Sequence, residues 1–138
     1  MANQLYPLGA KAILDGQINF LTDDIRFALI DTGVETYNAA DQFMSSVTSP
    51  VARMAASLGT KVTNGPSGVT PGTFDAADPT INSVTGSTVE AVILYKYNAS
   101  DAAAPLICWI DSSPAIAFTP NGSNVTLTID PAGIFSIA

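Results

Sequence analysis

A chain of 138 residues is one domain by size, and with 47% hydrophobic but only 12% charged residues it leaves Ser, Thr, Asn and backbone to face water. Five Lys and Arg stand against twelve acids, a net charge of -7, so no basic patch is available to neutralise phosphates and no nucleic-acid partner is expected. The chain has no His and one Cys, which removes Ser-His-Asp and Cys-His nucleophilic sites, the commonest transition-metal ligand and an internal disulfide.

Residues 1–7, MANQLYP, have neither a basic stretch nor a long apolar run, so no signal peptide is expected. Residues 5–16 read LYPLGAKAILDG: Pro7 suits a helix start, Ile13 and Leu14 supply an apolar side, and Gly16 suits the stop. After a polar turn at residues 22–24, residues 25–31 alternate as a strand, with Ile25, Phe27 and Leu29 on one face and Arg26, Ala28 and Ile30 on the other. Residues 31–49 are polar and irregular, with a helical turn expected around residues 39–44. Two short strands are expected over residues 51–63, the second at residues 60–63. The run NGPSGVTPG, residues 64–72, reads as a surface loop.

The second half is more regular. Strands are expected at residues 80–84, 88–97, 105–111, 115–118, 125–129 and 134–137, separated by Gly, Pro, Ser and Asn clusters. Eight or nine short strands with little helix predict an all-β chain, a single-domain β-sandwich or jelly roll over residues 1–138, with residues 1–16 forming an N-terminal arm and short helix. No stretch approaches the ~20 apolar residues of a membrane span, so no membrane partner is expected.

Within this pattern the segment TVEAVILYKYN, residues 88–98, raises a question. Its one face, Val89, Ala91, Ile93, Tyr95 and Tyr97, reads as core. The other carries Glu90, Val92 and Leu94, where a sheet face in water would be polar. Two covers are open: the N-terminal helix, through Leu8, Ile13 and Leu14, or another subunit. On the second reading Glu90, Val92 and Leu94 are partner contacts.

Little chemistry remains. No phosphate loop, dinucleotide fingerprint or zinc Cys pair is present. Ten of the twelve acids are Asp, placed at strand ends where carboxylates accept backbone N–H groups. In FDAADP, Asp75 and Asp78 flank a bend, but DAAD lacks the dense oxygen spacing of a calcium loop. Asn98, Asn121 and Asn124 begin Asn-x-Ser/Thr triplets that read as turns. Cys108 reads as a small buried hydrophobe and Trp109 as core. No enzyme, cofactor or metal site is expected.

The order of segments resembles a family of small tailed-phage virion proteins. LDGQINFLTDDIRFALID, SPVARMAASLGTKVTNG, TFDAADPTINSVTGSTVEAVILYKY, APLICWID and FTPNGSNVTLTID match patterns such as LDGxIDWLTDxIKVxLVD, FDADDxTFxxVxGDTVEAxVIYK and SPLIAYID. The likeness spans nearly the whole chain, with a longer residue 64–72 loop here and with Ala77 and Pro79 altering the FDADD turn. It implies a β-sandwich capsid cement, or decoration, protein. Such a protein is made in the host cytoplasm, sits on the phage head surface, contacts the major capsid protein and forms dimers or trimers. On that reading residues 1–7 are an arm that anchors to a capsid subunit through Leu5, Tyr6 and Pro7. The rival expectation is an adhesin-like head-fibre or tail-associated binding module, which calls for clustered exposed aromatics.

Overall fold

A computed structural model describes residues 3–63, 72–112, 116–130 and 133–136. In chain order the elements are β1 (Gln4–Leu5), α1 (Pro7–Leu14), β2 (Ile25–Ile30), β3 (Ala52–Arg53), β4 (Thr73–Phe74), β5 (Thr80–Ile81), β6 (Ala91–Lys96), β7 (Leu106–Ile110), β8 (Val125–Thr126) and β9 (Phe135–Ser136). The 3-10 turns Met44–Ser46 and Asp101–Ala103 interrupt the connections. The protein is thus mostly β with one short helix. An antiparallel five-stranded sheet, ordered β1-β7-β6-β2-β3, is accompanied by two two-stranded ribbons, β4-β9 and β5-β8.

Helix α1 follows from its ends. Pro7 occupies the first helical position, where its missing N–H costs nothing, and Gly16 takes φ +74° just past the stop. Gly9 is the close-approach point: a Cβ there would overlap the Leu106 carbonyl oxygen, so α1 lies directly against β7.

The period-two pattern of β2 and β6 holds in the register. Phe27 faces Leu94 and Leu29 faces Val92 on one side, while Ala28 faces Ile93 and Ile30 faces Ala91 on the other. Both sides are buried. Ile25, Phe27, Leu29, Val92, Leu94, Cys108 and Ile110 belong to one cluster, which takes in Ala12 from α1, Phe74, Ile81, Val84 and Leu127 from the ribbons and their flanks, and Ile18 and Phe20. Ala28, Ile30, Ala91, Ile93, Tyr95, Leu106 and Trp109 belong to a second, capped by Tyr6, Met44, Val47 and Ala104. A register shift at Leu94/Tyr95 matches Leu94 to Cys108 but Tyr95 to Leu106. Ile107 is left over, and both it and Cys108 join the first cluster.

The cover of Val92 and Leu94 is therefore the chain itself, supplied chiefly by the ribbons. Helix α1 contributes Ala12 and Ile13, whereas Leu14 is 83% exposed. The predicted strand at residues 60–63 is reduced to an isolated bridge from Val62 to Asp75, and Phe118 forms an isolated bridge with Val89. The expected strand over residues 88–97 is regular only over Ala91–Lys96, and Tyr97, placed with the core face, is 37% exposed. Residues 64–71 of the predicted loop, and Ala115 and Ile137 of the predicted strands, lie outside the described residues.

Candidate functional site

The six residues singled out as partner contacts do not form one surface. Val92 and Leu94 are 3% and 0% exposed, so they cannot meet a partner in the folded chain; the ribbons occupy the space a subunit would need. Tyr6 is 1% exposed, its N–H donates to the Ile107 carbonyl at 2.9 Å, and its ring packs at 5.1 Å from Tyr37. Leu5 is half-buried in β1, and its carbonyl accepts the Tyr37 hydroxyl at 3.2 Å. Pro7 and Glu90 are exposed but lie at opposite ends of the β6–β7 pair, Pro7 by the Leu106 end and Glu90 beyond the end where Val92 faces Ile110.

The expected free arm is corrected by the same geometry. Residues 3–6 form the sheet edge: Gln4 and Leu5 pair with Trp109 and Cys108, and Asn3 Oδ1 accepts the N–H groups of Asp111 and Ser112 at 3.0 Å each. A two-residue strand carries no alternation long enough to read in a sequence, which is why these residues looked like a tail.

Side-chain charge is concentrated at one end of the sheet. Arg26 makes a two-point pair with Asp24 at 2.8 Å through each nitrogen, and its guanidinium lies 3.7 Å from the centre of the Tyr97 ring. Arg53 grips Asp101 at 2.8 and 2.9 Å. Lys96 bonds Asp23 at 3.1 Å and the Gln17 carbonyl at 2.9 Å, and Lys61 donates to the Asp23 carbonyl and to Ser57. The fifth cation, Lys11, pairs with Asp15 one helical turn on. These contacts move the ionisations in the expected directions. Hydrogen bonds from the Arg53 guanidinium hold Asp101 below the usual carboxylate range, outweighing the opposing effect of burial. Burial pushes Asp23 upward, but the Asn19 N–H and the Lys96 ammonium outweigh it and leave the carboxyl low.

Every Lys and Arg side chain is thus engaged within the chain, and the surface that the described residues leave for others is polar, acidic and sparsely apolar. Among the described residues the exposed large apolar side chains are Leu14, Leu21, Val34 and Tyr97, at 83, 53, 52 and 37%. A groove of about 260 Å³ runs beside β1, lined by Asn3, Gln4, Leu5, Cys108, Ile134 and Phe135. Burial pushes the Cys108 thiol up to about 12, so it is neutral at physiological pH and no nucleophile. Tyr6, Tyr37 and Trp109 converge, with Tyr37 6.3 Å from Trp109 in an edge-on contact, but Trp109 is 1% exposed and only Tyr37 reaches the surface. Among the described residues no group of three or more Cys, Asp or Glu is placed to hold a metal ion.

Of the three Asn-x-Ser/Thr triplets, Asn98 and Asn121 serve turns, each accepting the N–H two residues on, whereas Asn124 accepts that of Ser83, 41 positions away, and ties two distant segments instead of closing a turn. Asp78 of the FDAADP bend accepts the Ile129 N–H at 2.9 Å. A scan against protein-family models finds no match to this chain, and a search of curated proteins finds none either.

Proposed function

We propose that this chain is a structural protein of a phage virion, a capsid cement protein that binds the outer head shell and bridges major capsid protein subunits. One observation carries the reading: the sequence blocks on which the family resemblance rests are tied to one another in space. Lys96 of VILYK reaches Gln17 and Asp23 of DGQINFLTDD. Asp78 of FDAADP and Ser83 of INSV meet Ile129 and Asn124 of NGSNVTLTID. The motif residues serve one another as structural ties, as expected of a protein whose product is a rigid shape. We read the finer fold as a small β-sandwich with the ribbons as its second layer.

With Val92, Leu94 and Tyr6 inside, contact with capsid subunits and with further copies falls to the exposed surface, where Pro7 and Leu14 share the outer side of α1. Each contact is shallow, and the effect on the shell comes from repetition around the lattice. A head-fibre or tail-associated module is favoured less, because the aromatics that converge are mostly enclosed.

The test is cosedimentation of the purified protein with undecorated capsids of its own phage, read as copies per shell. Saturation at a fixed ratio to capsid protein is the expected result. No binding, or a handful of copies, overturns the cement reading and favours the fibre or tail.

A further inference from the structure

The two sides of the five-stranded sheet are covered by different kinds of structure, and the second cover has the features of a detachable one. Residues 31–50 cross the face formed by Ala28, Ile30, Ala91, Ile93, Tyr95 and Trp109. Their regular structure is one three-residue 3-10 turn and an isolated bridge from Phe43 to Pro105, and they contribute two buried side chains, Met44 and Val47. Among the described residues, backbone bonds join this segment to β7 and its approach at two points: Met44 N–H to Ala104 and Leu106 N–H to Gln42, each 2.9 Å. A third tie is the Tyr37 hydroxyl to the Leu5 carbonyl.

We propose that residues 31–50 are a strap that opens as a unit while the sheet stays folded, and that Tyr37 couples its opening to the N-terminal strand β1. Opening as a unit follows from Glu35, whose carboxylate accepts the Thr48 N–H at 2.6 Å and closes the two ends of the strap onto each other. The strap can then leave without unravelling. Its hinges are local. At the first, the Asp31 carbonyl accepts the N–H groups of Val34 and Glu35, and the Asp31 carboxylate that of Gly33. At the second, Ser49 holds φ +38° immediately before Pro50, a left-handed conformation that an L-residue adopts at a cost. Val51 then returns the chain to the sheet through the Leu29 carbonyl.

Coupling to β1 follows from how the outer edge of β7 is shared. Tyr6 takes the Ile107 carbonyl, and the strap takes the adjacent Leu106 N–H and Ala104 carbonyl. Tyr6 and Tyr37 also pack ring to ring at this junction. Whatever fixes β1 therefore holds the strap shut. Segments with few buried side chains and few backbone ties open well below the global unfolding free energy.

Native-state hydrogen exchange on the full chain, with guanidinium added below the unfolding transition, tests this. The Met44 and Leu106 amides are expected to exchange together, at least about tenfold faster than the ladder amides of β2 and β6, with weak denaturant dependence. Leu106 is the sharper probe, since it belongs to β7 while its acceptor belongs to the strap. Tyr37→Phe, which removes only the hydroxyl, is expected to speed both amides about fivefold and leave the ladder unchanged. The strap is overturned if the Met44 and Leu106 amides follow the ladder's rate and denaturant slope, or if Leu106 alone stays with the ladder. The coupling is overturned if Tyr37→Phe leaves the strap amides unmoved or moves strap and ladder alike.

Discussion

The two faces of the central sheet carry similar side chains and receive different covers. Over Phe27, Leu29, Val92 and Leu94 lie two ribbons, α1 and the turns between them, which bring Phe74, Ile81, Val84, Leu127, Ile18 and Phe20 into one cluster. Phe20, Phe74 and Phe135 meet there at ring separations of 4.7 to 6.0 Å. Over Ile30, Ile93, Tyr95 and Trp109 lies an irregular strap with Met44, Val47 and the half-buried Tyr37. Small residues make this sufficient: Ala28, Ala91 and Ala104 are fully enclosed, so the strap backbone can approach closely. Burial fraction alone would rank the two faces as equals. What differs is how many independent pieces of chain must be displaced to expose each.

Paired truncations break or sustain that distinction most strongly. Leu94→Ala removes a side chain with no exposure from a cluster walled by several elements that cannot all collapse inward, and a loss of about 3–5 kcal/mol in global stability is expected. Met44→Ala removes an equally buried side chain from the strap, which can settle into the space, so about 2 kcal/mol is expected. Guanidinium unfolding checks both. Equal losses would show that the strap is as rigidly packed as the ribbons.

Gly9 probes the edge where the two covers meet. Replacing it by Ala drives a methyl into the Leu106 carbonyl, and backbone must move because no flexible side chain is there to yield. About 1–3 kcal/mol of destabilisation is expected by thermal unfolding. Little change would show that α1 can slide on β7 without cost.

What the sequence made legible follows from length of pattern. β2, β6 and β7 each carry five or six residues of strand, enough for alternation to show both faces, and the helix was bounded by Pro7 and Gly16, residues with fixed conformational meaning. The two-residue strands β1 and β4 have no such signal, so residues 3–6 read as an arm and the residue 73–74 strand was passed over. The Val92–Leu94 face was correctly seen to need a cover. Its source stayed hidden because the ribbons that cover it are spread over residues 73–135, each too short to announce an apolar face. The Arg53–Asp101 and Lys96–Asp23 pairs span 48 and 73 positions, and no local spacing rule reaches that far. The burial of Cys108 was easier to read, since its neighbours Leu106, Ile107 and Trp109 are all apolar.

The smallest expected effect concerns the charged end of the sheet. Asp101 is held below its ordinary range chiefly by the hydrogen bonds from Arg53, so the folded state binds its proton less readily than the unfolded chain. The resulting stability is present above the unfolded carboxyl value, near 4, and is lost as pH falls through the lower folded value. Both side chains are substantially exposed, 32% for Arg53 and 42% for Asp101, and solvent screening holds the pair below about 1 kcal/mol. Asp101→Asn should therefore lower Tm slightly at pH 7, and the difference should shrink as the pH falls through and below the ordinary carboxylate range. A difference that persists undiminished below that range would assign the residue's contribution to the turn at residues 98–104. In that case the Arg53 pair, bound at one end to β3 and at the other to that turn, would add nothing to holding the edge of the sheet beside the strap.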